Sequence, residues 1–368
     1  MVSMNKNGFL ELKQNQEFQE IEEFTDFLIQ NRDVNEFDDT LKIIGSITNF
    51  DTQEEFESSI RDSFQISRRY GSLLLLRRNR EGKNVESYVF FDKKNKVSLF
   101  FTLERKTDVI PDTIIDYIQE SANVSSLWIN PTTLDEIRAE IVRDYEKTQI
   151  TQFVAKRELY TDTKARFRPR RKRTIEYYGG DAKRTLEEMK QMYGVLPTVL
   201  EFRLSNNNRF RIDRKGIFTI KRGEFKLTFE IIDKVLQRLL DLRDVVNTSG
   251  YQIVRTDTQE RSFEIESKDP WSIELEKRID YDDVPKIKEE IEEGEWGFTF
   301  IDSVAQEGSL YLSARIVDTR KNREIEIVSD GKEIKVYPPE DEEIGSSLRF
   351  FEFVQETIDR NAEAVKSV

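Results

Sequence analysis

Apolar positions along this chain follow two periods, one close to 3.6 residues and one of 2, and the places where one gives way to the other mark out its elements. Residues 17–31 put Phe18, Ile21, Phe24 and Leu28 on one helical face with acids between them. A second helix is expected over 52–64, with Thr52 as cap, Glu55 three residues on, and Phe56, Ile60 and Phe64 aligned. From Ser72 the pattern turns to strands. SLLLLRRN and VESYVFF come first, then a turn at Asp92–Lys96, then VSLFFTL, where Val97, Leu99, Phe101 and Leu103 alternate with their neighbours. A short helix after Pro111, with Asp112 as candidate cap, closes this stretch.

The same order returns twice. LEFRLSN, RFRI, a turn at Asp213–Gly216 and IFTI precede a helix over about 227–240. Near the C-terminus GFTFID, SLYLSARIVD, REIEIV, a turn at Ser329–Lys332 and EIKVYP precede a helix over about 347–358. Ile325 and Ile327 alternate with Glu324 and Glu326 in the last meander, as in a sheet with one wet face. The chain therefore reads as an α+β protein of two or three antiparallel β-meander units, each packed by a C-terminal helix and joined by a helical connector. The expected divisions are 1–130, 131–250 with the connector and the second unit, and 251–368. The connector carries one helix over 132–147, with hydroxyl caps after Pro131, and another over 181–193 that ends near Gly194.

Composition narrows the chemistry. The 368 residues contain no Cys and no His, which excludes disulfides, thiolate nucleophiles, imidazole acid–base catalysis and Cys or His metal sites. No cofactor is expected. Lys and Arg number 58 against 71 acids, a net charge of −13, so attraction to an anionic partner has to be local. The N-terminus has no signal-peptide core, and no apolar run reaches the length of a membrane span, so a cytoplasmic protein without membrane contact is expected.

One segment reverses the charge. Between Lys156 and Arg184 eleven Lys or Arg face four acids, a local charge of +7 in an acidic chain. The candidate site lies there: Lys164, Arg166, Phe167, Arg168, Arg170, Arg171, Lys172, Arg173, Tyr177 and Tyr178. Cations would pair with phosphates while Phe167, Tyr177 and Tyr178 stack on exposed bases, and Gly179–Gly180 would bring backbone amides near an anion. The function this supports is non-enzymatic capture of an anionic partner, with nucleic acid ahead of nucleotides. The alternative is a scaffolding subunit whose basic segment docks on protein carboxylates. A third reading, a metal-dependent nuclease, rests on Glu86, Glu104 and Lys106 at the end of the first hairpin. No phosphate-loop glycine pattern occurs.

Overall fold

In the computed structural model, the residues described are 10, 12–13, 15–31, 40–80, 82–157, 165–167, 172–204, 208–222, 225–246, 251–257, 262–268, 270–293, 296–306, 311–337 and 344–366. They form helices and antiparallel sheets, an α+β fold, in two compact units: 1–157 with 162–237, and 238–368.

The first unit opens with α1 (Ile21–Asn31), β1 (Leu41–Thr48) and α2 (Gln53–Arg61), then β2 (Gln65–Tyr70), β3 (Leu73–Arg80), β4 (Lys83–Asp92) and β5 (Val97–Thr102). Next come a π-helical turn at Pro111–Ile115, α3 (Asp116–Glu120), β6 (Val124–Ser126), α4 (Pro131–Asp144), β7 (Gln149–Arg157), β8 (Arg173–Tyr178) and α5 (Ala182–Tyr193). Strands β9 (Leu196–Arg203), β10 (Arg209–Asp213) and β11 (Ile217–Arg222) lead into α6 (Phe225–Val246), whose residues from 238 on are counted with the second unit.

Local chemistry explains several of these boundaries. Thr52 caps α2 by accepting the Glu55 N–H at 3.2 Å, as its spacing predicted. The first helix begins at Ile21 instead of 17, because Phe18 is drawn into backbone pairing beside Gly71: its N–H donates to Tyr70 and its carbonyl accepts from Ser72. The cap of α4 is Asn130, whose side chain accepts the Thr132 N–H at 2.7 Å, where threonine hydroxyls were expected. The meander turns share one device. Asp92 accepts from the Lys94 and Asn95 amides, and Asp213 from Lys215.

Ten strands run β2-β3-β4-β5-β1-β11-β10-β9-β7-β8, and β6 pairs with the remaining edge of β1. Strand β1 joins the halves: Lys42–Ile47 pairs with β5 on one side, and on the other Leu41–Ile44 pairs with β11 and Ser46–Thr48 with β6. The boundary drawn from the sequence at 130/131 falls between strands of this one sheet.

The two halves are covered differently. On one face of the β3–β5 half, Leu74, Leu76, Val89, Phe91 and Phe100 meet Phe56 and Ile60 of α2 and Tyr117 of α3. Phe56 stacks on Phe91 with ring centres 4.4 Å apart. On the other face, Phe24 of α1 meets Phe101 at 5.1 Å, and Phe229 of α6 lies 6.3 Å from the same ring. Burial on both faces is why Leu73–Leu76 is apolar without alternation. In the β9–β11 half, Leu200, Phe202, Phe210, Ile212, Phe218 and Ile220 are buried on one face, the side of α4 and α5, while the other face carries charge.

The second unit holds a hairpin of β12 (Tyr251–Asp257) and β13 (Ser262–Lys268), followed by β14 (Trp271–Glu274) and α7 (Val284–Glu293). Its meander is β15 (Phe298–Gln306), β16 (Tyr311–Asp318), β17 (Arg323–Ser329) and β18 (Glu333–Tyr337). It ends with α8 (Gly345–Phe353), a π-helical turn at Val354–Ile358 and β19 (Glu363–Lys366). Six strands order β15-β16-β17-β18-β14-β19. Burial alternates along β16, β17 and β18, the half-wet pattern expected from Ile325 and Ile327. Asp330 accepts from the Lys332 and Glu333 amides, repeating the turn device of the first unit.

Candidate anion-binding site

The basic segment ends as β8, the edge strand of the large sheet, antiparallel to β7. Of the ten residues singled out from the sequence, Lys164, Arg168, Arg170 and Arg171 lie outside the described residues. The other six divide between the two faces of the strand and the approach to it.

On the α5 side, Arg173 places its guanidinium carbon 4.2 Å from the centre of the Tyr193 ring. Phe167 reaches the same ring at 6.2 Å, and its N–H donates to the Met192 carbonyl at 2.9 Å, so this part of the segment is tied to the last turn of α5. Arg157, directly opposite Arg173 and only 1% exposed, donates to the Tyr193 carbonyl at 2.9 Å. Gly194 makes room for that guanidinium. Its φ of +63° and an added Cβ only 2.0 Å from Arg157 Nη1 leave no space for another residue. Tyr193 was read from the sequence as a helix end and is the hub of this face.

Tyr177 also lies on this side. Its ring stacks on Phe153 at 5.6 Å and its hydroxyl donates to Asp181 at 2.7 Å, an interaction with the carboxylate that raises the phenol pKa. Tyr177 is thus committed to the protein, where a free stacking platform was expected. The Gly179 amide donates to the Thr151 carbonyl at 3.1 Å and is likewise engaged within the fold.

The remaining groups reach solvent. Phe167 is 53% exposed and Tyr178 65% exposed, while Arg166 and Lys172 are exposed. Arg166 and Arg173 have no acidic partner among the described residues. Tyr178 sits on the opposite face of β8 and donates its hydroxyl to Glu176, which raises its pKa.

That opposite face continues across β7, β9, β10 and β11 as a charged surface that sequence reading missed. At its centre Glu201 is 0% exposed. Its Oε1 accepts from Arg209 at 2.5 and 2.6 Å and from Thr151 at 3.1 Å, and its Oε2 accepts from Lys221 at 2.5 Å. Burial works against this carboxylate, but the Lys221 and Arg209 hydrogen bonds outweigh it and hold the pKa below the ordinary value.

Elsewhere most of the clustered arginines are paired with acids. An open groove of about 1330 Å³ beside edge strand β2 is lined by Arg61, Arg68, Arg69, Arg77 and Arg78. Buried Glu57 pairs with Arg61 and Arg69, Glu86 with Arg77, and Asp116 with Arg78. Of the residues considered for metal-dependent cleavage, Glu86 is therefore held by Arg77, and Lys106 pairs with Asp213. Among the described residues no three acids stand close enough to hold a metal ion.

Comparison with known proteins places the chain. It is 32% identical over 352 residues to a protein of Archaeoglobus fulgidus that bears the description uncharacterized protein, and the match covers 92% of this chain and 94% of that one. The chain belongs to that protein's family. A family model described as the AF_0896_M family middle domain matches residues 132–215. The family middle domain runs from α4 through β7, β8, α5 and β9 to the end of β10, so it contains the basic segment, Tyr193 and Glu201. Among the described residues no helix is long and apolar enough to cross a membrane.

Proposed function

We propose that the protein is a non-enzymatic binding protein that captures an anionic partner, nucleic acid ahead of nucleotides, along the basic approach to β8. The observation that carries this reading is the meeting of a cation without an acidic partner among the described residues and exposed rings at a sheet edge: Arg166 next to Phe167 in the chain, and Tyr178 at the far end of the strand. Phosphates would meet the cations and release counterions, and bases would stack on Phe167 and Tyr178. The Arg173–Tyr193 contact would hold the segment in register with the edge. No bond is made or broken in this scheme.

The test is fluorescence anisotropy with a single-stranded oligonucleotide over a salt series. Log affinity should fall with log salt by about 0.7 per phosphate contact, and neutralising Arg170, Arg171 and Arg173 together should reduce that slope. Affinity indifferent to those three substitutions and to Tyr178→Ser would remove the proposal.

A second reading is favoured by one contact set. Phe167 and Arg173 both pack on α5, which also suits a scaffolding segment that docks on protein. Limited proteolysis separates the two. A segment open to ligand is cut quickly between 164 and 172 and is protected by oligonucleotide, whereas a docked one resists without it.

A further inference from the structure

We propose that β15, an end strand of the six-stranded sheet, pairs antiparallel with β15 of a second copy of this chain. An end strand offers a row of backbone N–H and C=O groups to any chain that fits it, and folded proteins defend such strands with charge, proline or shortness. The other end strands of the two larger sheets carry that defence. Strand β2 has Arg68 and Arg69, β8 has Arg173 and Glu176, and β19 is four residues long with Glu363 and Lys366 at its ends. Strand β15 runs for nine residues, FTFIDSVAQ, with no proline, lysine or arginine. Its one charge, Asp302, is held by Arg315 of the neighbouring strand at 2.6 Å.

The strand is apolar where it meets solvent. Along β16, Leu312, Ala314 and Ile316 are buried while Tyr311 and Arg315 are exposed, so the face of Tyr311, Ser313 and Arg315 is the wet one. Val304 stands opposite Ser313 on that face and is 66% exposed. Tyr311 is its diagonal neighbour, also exposed, and Val328 of β17 faces Ser313 from the other side. Exposed Ile301 is the extra residue where the ladder shifts between Phe300 and Asp302. Such a bulge itself discourages edge pairing, but this one lies before the stretch concerned: from Asp302 to Gln306 the ladder is regular.

Charge and symmetry select a second copy as the occupant. A strand laid antiparallel on its own copy meets its own charges in reverse order, which opposes self-pairing of a basic or acidic strand and does not oppose this one. With a two-fold axis at Val304, that residue meets Val304 of the second copy, Ser303 meets Ala305, and Asp302 meets position 306, so no like charges are opposed. Ile301 and Tyr311 then border the seam. The paired stretch from Asp302 to Gln306 is short, so monomer and dimer should exchange at micromolar concentration. All of these residues lie in the second unit, and the inference does not depend on the reading given for β8.

The test is analytical ultracentrifugation of the full chain over a dilution series through the micromolar range, with the thermal midpoint as a check on folding. Wild-type protein should pass from dimer to monomer on dilution. Val304→Lys sets two lysines against each other at the axis and should weaken the dimer by about tenfold or more without lowering the midpoint. Because the chain has no cysteine of its own, a single introduced one reports on the seam directly. Val304→Cys should close a disulfide between copies under mild oxidation, since Cβ atoms directly opposite on neighbouring strands lie about 4.5 to 5.5 Å apart. Tyr281→Cys, at an exposed position outside the sheet, should do so far more slowly. A wild-type chain that stays monomeric throughout, as it would if a different protein covers this edge, overturns the proposal. So does a dimer that survives Val304→Lys, or a disulfide in Val304→Cys that forms no faster than in Tyr281→Cys.

Discussion

The guanidinium of Arg173 lies over the ring of Tyr193, its central carbon 4.2 Å from the ring centre. The same ring receives Phe167, and the backbone carbonyl of the same residue receives Arg157. One tyrosine at the end of α5 therefore organises the approach to the edge strand from three directions. Tyr193→Leu removes the face that Arg173 uses and should cost about 1 kcal/mol. Urea unfolding would show the loss, and trypsin should cut faster after the basic residues between 164 and 173.

Glu201→Gln should destabilise the first unit by about 2 to 3 kcal/mol, since Arg209 and Lys221 would lose their buried counter-charge. The folded-state pKa lies below the ordinary value of 4.5, so the stabilisation is present above that value and is lost as pH falls through the lower folded one. A thermal midpoint series on the acid side should show that component in the wild type and lack it in the glutamine variant.

Tyr117 behaves in the opposite sense. Burial pushes its hydroxyl pKa up to about 12, although hydrogen bonds with Ser59 and Ser121 hold it back. The folded protein keeps a proton that the unfolded chain releases from about pH 10 upward, so stability falls as pH rises between the ordinary value of 10.0 and about 12. Tyr117→Phe should flatten that alkaline decline. Midpoints measured across this window for both proteins would decide it.

In the second unit, Arg349 and Asp318 form a buried ion pair, with Arg349 also donating to the Trp296 carbonyl and lying 5.0 Å from the Phe298 ring. Arg349→Met leaves an uncompensated buried carboxylate and should cost about 3 to 5 kcal/mol. Adding Asp318→Asn should recover part of the loss, because asparagine still accepts the Arg320 and Lys321 amides that Asp318 now holds. Chemical denaturation of the single and double variants measures both effects.

What was legible in the sequence was legible for local reasons. Turns at Asp92, Asp213 and Asp330 announce themselves because a short carboxylate satisfies amides two or three residues on. The cap at Thr52 and the alternation at Ile325 and Ile327 are equally local. Strand β1 escaped notice because a strand buried on both faces shows no period of 2. The basic segment was visible as charge, yet the sequence could not show that β8 would send Tyr177 and Tyr178 to opposite faces. Arg203, Arg209 and Arg222 meet only through register, which no local pattern reveals.

Strand β1 has a consequence for how the chain is made. Its partner Phe101 follows soon after it in synthesis, but its other partner, Ile220 opposite Leu41, emerges only much later. Until then a nascent chain on the ribosome exposes the long edge of β1, whose side chains are all buried in the finished protein. Premature termination before β11 would leave a sticky fragment, so translation errors in the middle of the message should be far more aggregation-prone than errors near its end.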